Sequence, residues 1–182
     1  MEFLLWGMWV PKEGTVIKSQ IFNDARNHDA GILTAKALLC CQPKIDYHIK
    51  IYHRKNLILA THSSYIQQSA EQIAAQVIDR AWRTQDLYTL KNKIETVVAK
   101  LPPKYQTIIQ LYFFDGIHIK NIAKQTKVEP RTIFRQINRS IELFAENMNP
   151  EFNTFIINNL LRDHRFFMRE YYDTKNQMLS DS

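Results

Sequence analysis

Six basic side chains are concentrated in the short segment 118–139. This segment holds a single acidic residue, Glu129, so its formal charge is +5. Such side chains could bind phosphate groups, and arginine can also donate two parallel hydrogen bonds to one guanine base. A solvated helix face is the commoner reason for a run of charge, so the spacing must decide. The basic residues are Lys120, Lys124, Lys127, Arg131, Arg135 and Arg139.

A helical projection separates the arginines from the aliphatic residues that follow Pro130. With Arg131 at 0° and about 100° per residue, Arg135 and Arg139 lie at about 40° and 80°. The isoleucines of the same segment lie at about 200°, 240° and 280°; they are Ile133, Ile137 and Ile141. One face can therefore dock on other helices while the opposite face presents guanidinium groups, which fits the major groove of DNA.

The segment before Pro130 predicts a second, shorter helix that packs against the first. Ile119, Ile122, Ala123 and Thr126 share one face, and the small Ala123 permits two helices to approach closely. Val128 is expected to point inward from the turn. Helices over about 118–126 and 130–146, three residues apart, predict a helix-turn-helix.

Each candidate contact has its own expected role. Arg131 and Arg135 are expected to contact base edges, because early residues of a recognition helix lie deepest in the groove. Thr132 could touch a thymine methyl group or a phosphate, or instead bond its own backbone. Asn138 completes the set on the exposed face.

The remaining basic residues are expected to position the helix rather than to read sequence. Lys120, Lys127 and Arg139 are predicted phosphate contacts. Phe134, near 300° on the same projection, is predicted to pack at the edge of the isoleucine face, with a base contact as the alternative. His118 is expected to cap the first short helix, with a phosphate contact as the alternative.

Upstream segments show helical periodicity. A stripe of Ile45, Ile49, Tyr52 and Leu59 predicts a helix from Pro43. The alternation of Tyr47, Ile49 and Ile51 would also suit a strand, but the segment is long and lacks turn residues. A further helix is predicted over 64–84, with Ser63 or Ser64 as its cap and a stripe of Ile66, Ala70, Ile73, Val77 and Ala81. After Asp86, another candidate cap, the stripe is Leu87, Leu90, Ile94, Val97 and Leu101.

The chain after Pro102-Pro103 is also predicted to be helical. A helix with Tyr105, Ile108, Ile109 and Tyr112 inward ends at Asp115-Gly116, where glycine supplies a left-handed residue. A last helix is predicted over 151–172 after Asn149-Pro150, and its apolar residues are Phe152, Phe155, Ile156, Leu160, Phe167 and Tyr171.

The sequence therefore predicts a mainly all-α fold, with the first 40 residues unassigned. It predicts three segments: an N-terminal region 1–62, a helical domain 63–149 and a C-terminal helix with tail 150–182.

Composition is that of an ordinary globular protein of 182 residues with a net charge of +6. No run approaches ~18 apolar residues, so no membrane contact is expected, and the first residues do not resemble a signal peptide.

Adjacent Cys40 and Cys41 are expected to be buried or half-buried thiols in a reducing compartment. The six histidines lack metal-ligand spacing, and no phosphate-binding loop, nucleophile motif or carboxylate cluster occurs. We expect no cofactor, no metal and no enzymatic activity.

The segment LPPKYQTIIQLYFFDGIHIKNIAKQTKVEPRTIFRQINRSIELFAENM resembles region 4 of bacterial sigma factors. It is still more similar to ArpU/RinA-type phage late-gene transcription regulators. In that group an LP-x-K/E helix, a Tyr/Phe-rich end, a short helix and a V-x-x-RT-x-x-R recognition helix follow in this order. The resemblance is specific over about 64–148, weaker over 43–63 and absent over 1–40 and 151–182. Lys127 departs from the pattern, because helix-turn-helix turns often carry glycine there.

The resemblance implies a sequence-specific regulator that binds double-stranded DNA in the cytoplasm of a bacterium or phage-infected cell. RNA polymerase is a further implied partner. No segment matches the part of a sigma factor that melts promoter DNA, which favours a regulator. An atypical sigma factor and a DNA-packaging accessory protein of the small-terminase kind stay open as alternatives. The C-terminal helix and the N-terminal region are candidates for a homodimer interface.

Overall fold

The structure, a computed structural model, describes residues 28–61, 68–156 and 164–180. Within these ranges the chain forms helices and no strand, which confirms the all-α prediction. The α-helices are α1 His28–Thr61, α2 Ala70–Ala99, α3 Pro103–Ile109, α4 Ile119–Thr126, α5 Pro130–Asn147, α6 Pro150–Phe155 and α7 Arg165–Ser180. None of these helices combines the length and apolar character that crossing a lipid bilayer requires.

Helix α1 continues through Pro43. The helix predicted from Pro43 onward is confirmed, and it begins further upstream, at His28. A proline inside a helix costs about 3 kcal/mol, because it removes one backbone hydrogen bond and crowds the preceding turn. Leu38 and Ile45, on either side of Pro43, are fully buried, and burying each such side chain contributes about 1.5–3 kcal/mol. Burial along the helix therefore outweighs the cost of the exposed proline.

Helix α2 is a single helix of 30 residues, whereas the sequence predicted a break before Asp86. Its cap is Ser69, whose hydroxyl accepts a hydrogen bond from the Gln72 N–H at 3.3 Å while the Gln72 side chain accepts from the Ser69 N–H at 3.0 Å. This reciprocal capping box satisfies two otherwise unpaired donors. Asp86 lies inside the helix, so its predicted role as a cap is wrong. Ser63 and Ser64, the other predicted caps, lie outside the described residues.

The two apolar stripes predicted on α2 have different outcomes. The stripe from Leu87 to Leu101 is buried, with Leu87, Leu90 and Ile94 fully inaccessible. The upstream stripe is wrong as a core face, because Ala70 and Ala81 are exposed and the residues between them are at most half-buried. The core therefore contacts the C-terminal half of α2. Ile66 lies outside the described residues.

Helix α3 continues into one π-helical turn, Gln110–Phe114, before the chain turns toward the helix-turn-helix. Ile108 and Ile109 are buried, and Tyr105 and Tyr112 are half-buried against the core, as predicted. The Asp115 N–H donates to the Gln110 carbonyl at 2.9 Å, which closes the wide turn. Gly116 follows with φ of 65°, which confirms the expected left-handed glycine.

The single helix predicted over 151–172 is wrong, because the described residue His164 within that range is not helical. Helix α6 spans Pro150–Phe155, and His164 directly precedes α7. Leu160 lies outside the described residues. Helix α7 packs on α1: Lys44 pairs with Glu170, and the His48 ring stacks on Phe166 with centroids 4.0 Å apart. Helix α1 thus contacts both α7 and α5, the second helix of the predicted helix-turn-helix.

The core that results holds α5 from several sides. Helix α5 contacts α1, α3 and α4, and its isoleucines belong to one buried cluster with residues of α1 and α2. This packing fixes which face of α5 remains in contact with solvent. The segment boundaries expected at residues 62 and 149 stay predictions.

Candidate nucleic-acid interface

His118 caps helix α4 from the position before Ile119, and its Nδ1 accepts a hydrogen bond from the Lys120 N–H at 3.3 Å. The expected capping role of His118 is confirmed. Ile122 and Ala123 are buried, and α4 contacts α5. Lys120, one residue after the start of the helix, is exposed.

The turn between α4 and α5 consists of Lys127, Val128 and Glu129. Lys127 adopts φ 55° and ψ 36°, the left-handed conformation, and its N–H donates to the Ala123 carbonyl. The Val128 N–H donates to the same carbonyl at 3.1 Å, and the Val128 side chain packs partly against the core. Two hydrogen bonds to one carbonyl end α4 and set the direction of α5.

Replacing Lys127 with glycine is expected to raise the free energy of unfolding by about 1 kcal/mol, because glycine adopts this backbone conformation without a Cβ clash. The thermal midpoint should rise by about 2–4 °C for a chain of this size. Calorimetry of both proteins would measure the change. Lys127→Ala is the matched control, since it removes the same charge but keeps the strain. A glycine variant no more stable than the alanine variant would contradict the role of strain.

Helix α5 has the two faces that its spacing predicts. Pro130 occupies its first turn, where a missing N–H leaves no broken bond. Ile133, Ile137 and Ile141 are at most 4% exposed. The arginines of the opposite face are exposed, which confirms the predicted orientation; they are Arg131, Arg135 and Arg139.

Arg139 differs from the other two arginines because it already has acidic partners. Its Nη1 lies 2.8 Å from Glu142 Oε2 and 3.3 Å from Glu146 Oε1. The hydrogen bond to Glu142, followed by the charge of Glu146, raises the pKa of the Arg139 guanidinium. A phosphate bound by Arg139 must compete with these carboxylates. In the described part of the chain, no carboxylate is paired with Arg131 or Arg135.

The other predicted contacts lie around the same exposed surface. Lys127 and Asn138 are exposed, and Thr132 is half-buried at the start of α5. We call the set of Lys120, Lys127, Arg131, Thr132, Arg135, Asn138 and Arg139 the basic face. Their roles toward DNA stay predictions.

Phe134 is 54% exposed, so the expectation that it packs against the isoleucine face is wrong. On the helical projection it lies within about 20° of Ile141, which is buried. The two residues are about two turns apart, and the neighbouring helices cover the position of Ile141 and not that of Phe134. Phe134 therefore places an exposed apolar ring at the border of the basic face.

The described residues offer little other chemistry. They contain no group of three or more histidine, cysteine or acidic residues that could hold a metal ion. Cys41 is buried and Cys40 half-buried, as expected, and both are free thiols. Burial, followed by the charge of Glu170, raises the pKa of each thiol. Protonated thiols are poor nucleophiles.

Residues 91–143 match the family model described as sigma-70, region 4. The match covers less than a third of the chain, from the last turns of α2 to residue 143, and includes α4, the turn after it and most of α5. No curated protein and no solved structure matches the chain. The chain thus contains a sigma-70 region 4 helix-turn-helix, a DNA-binding type. Helices α1, α6 and α7 lie outside the matched segment.

Proposed function

We propose that this protein is a sequence-specific transcription regulator that binds double-stranded DNA through the basic face of α4 and α5. The observation that carries the proposal is the exposure of Arg131 and Arg135 opposite the buried isoleucines of α5. The region 4 match supports DNA binding by the same two helices. The protein acts by binding rather than by catalysis, in the cytoplasm of a bacterium or phage-infected cell.

The likeness of the sequence to ArpU/RinA-type regulators supports a role at phage or prophage late genes. Arg131 and Arg135 are exposed and not paired with carboxylates in the described part of the chain, so their guanidinium groups can enter the major groove without breaking an ion pair. Each can donate two hydrogen bonds to guanine O6 and N7. Two copies of the protein would place two recognition helices about one helical turn of DNA apart.

A sigma factor that acts only with core RNA polymerase is the second candidate, and the region 4 match favours it. The two candidates differ in what they need to bind DNA. A regulator protects its site from nuclease without polymerase, whereas the second candidate requires core enzyme to bind and to initiate at a promoter.

Selection of bound sequences from a random DNA library tests the proposal directly. The protein alone is expected to enrich one motif, and the spacing of repeated half-sites would report a dimer. Parallel selection with core polymerase is the control for the sigma-factor alternative. Enrichment only in the presence of polymerase would favour that alternative, and no enrichment in either arm would overturn both.

Replacing Lys120 with alanine is expected to weaken binding to all sequences alike, because a phosphate contact carries no base information. Loss of one neutralised phosphate should lower the slope of log K against log salt concentration by about 0.9. Titrations of cognate and random duplexes at several salt concentrations would measure it. Gln125→Ala, an exposed neutral position on the same helix, should leave the slope unchanged. An unchanged slope in Lys120→Ala would remove this residue from the phosphate contacts.

A further inference from the structure

We propose that Phe134 contacts the 5-methyl group of a thymine and, together with Asn138, forms an edge of α5 that reads A·T base pairs. The inference rests on the proposed DNA-binding function and adds a base preference to it. The basic face would then have two edges with different chemistry, one of guanidinium groups and one of a phenyl ring and an amide.

The exposure of Phe134 is unusual within its own segment. Over residues 91–143, all of which the structure describes, it is the only large apolar side chain that is exposed. The apolar side chains before and after it on α5, Ile133 and Ile137, are buried. A single exposed ring is common on protein surfaces, so the position of Phe134 has to carry the argument.

Phe134 lies at the border between the isoleucine face of α5 and the face that we propose enters the DNA groove. Relative to Arg131 it is rotated by about 60°, and Asn138 lies between the two at about 20° from Arg131. Along the helix axis, Phe134 is about 4.5 Å beyond Arg131 and about 6 Å before Asn138. Base pairs are about 3.4 Å apart, so the three side chains together would span about three base-pair steps of one half-site.

The chemistry of the two side chains suits thymine and adenine. Thymine is the base whose C5 methyl group projects into the major groove, and apolar side chains, phenylalanine among them, contact it. An asparagine amide can bond both N6 and N7 of adenine. The Phe134 side chain has no charge and no hydrogen-bond donor, so it cannot bind a phosphate as its basic neighbours can. The expected site therefore has guanine, read by Arg131 and Arg135, beside an A·T pair.

Deoxyuridine provides a probe that removes only the methyl group and keeps base pairing. In the selected site, each thymine is replaced singly by deoxyuridine and the affinity of the full chain is measured. At one position we expect binding to weaken about fourfold, which corresponds to about 0.8 kcal/mol for one apolar carbon taken out of contact. Phe134→Ala should bind the thymine and deoxyuridine sites equally at that position.

Phe134→Leu is the matched control, because it keeps an apolar side chain and should keep a preference for thymine over deoxyuridine. Since Phe134 is exposed, both variants should fold, which their thermal midpoints would verify. Sedimentation of each variant shows whether the ring instead holds a second copy of the protein.

The outcomes separate this inference from the proposed function. If no deoxyuridine weakens wild-type binding, or if Phe134→Ala keeps the same penalty, the inference is overturned while sequence-specific binding stands. If a Phe134 variant no longer associates with a second copy of the protein and loses affinity equally for the thymine and deoxyuridine sites, the ring makes a protein contact. That result would overturn the inference as well. If selection yields no preferred sequence, the proposed function and this inference fall together.

Discussion

Replacing Ile137 with alanine is expected to lower the free energy of unfolding by about 2–5 kcal/mol. Ile137 is 4% exposed and belongs to the buried cluster that joins α5 to α1 and α3. Truncation removes apolar contacts and leaves a cavity that the surrounding helices fill only in part. Domains of this kind are stable by about 5–15 kcal/mol in total, so a single truncation would remove a large share.

Urea unfolding followed by circular dichroism would measure this loss. Ile137→Val deletes one carbon and should cost about 0.5–1.5 kcal/mol. Arg135→Ala, on the opposite face of the same helix, should change stability by less than about 0.5 kcal/mol. An Ile137→Ala midpoint equal to that of the wild type would show that α5 is not docked through its isoleucine face.

The helices of the matched segment were predictable because local signals agree there with the pattern of burial. Pro130 at a first turn and the left-handed Gly116 mark helix limits, and isoleucines at intervals of four define one face. Each signal acts within a few residues, so no knowledge of distant contacts is needed. For the helix-turn-helix, predicted over 118–146, the structure differs by one residue at each end, since α4 begins at Ile119 and α5 ends at Asn147.

The upstream error comes from a signal that depends on a single residue, and the C-terminal error comes from a break that the sequence does not mark. Asp86 is a common cap residue, but nothing after it required a new helix, and α2 continues through it. The pair Ser69 and Gln72 was the stronger signal, because a capping box needs two residues at a fixed spacing. The interruption at His164 has no such local mark in the sequence, and the apolar spacing on either side of it could suit one helix.

The basic face shows what a helical projection can and cannot predict. Exposure of Arg131 and Arg135 follows from the burial of the isoleucines opposite. The exposure of Phe134 does not, because a residue at the edge of a face is covered or free depending on which distant helices reach its turn. The ion pair of Arg139 with Glu142 could have been predicted from the sequence, because Glu142 follows Arg139 at i+3, a spacing that favours ion pairs.

Arg135→Ala is expected to relax base preference at one position of the selected site and to cost about 1–3 kcal/mol there. The exposed guanidinium can donate two parallel hydrogen bonds to guanine, and no alanine contact replaces them. Binding to random duplexes should fall much less, because only one charge is lost. Competition titrations with the selected site, its single-base variants and random DNA would measure both affinities.

Arg135→Lys tests whether the paired hydrogen-bond donors of the guanidinium matter apart from its charge. Lysine keeps the charge and therefore the salt dependence, but it lacks the planar pair of donors that matches guanine O6 and N7. This variant should lose most of the discrimination at the position read by Arg135 and keep the affinity for random DNA. Equal losses by Arg135→Ala on selected and random duplexes would assign Arg135 to the phosphate backbone. Base reading would then rest on Arg131 and the Phe134–Asn138 edge.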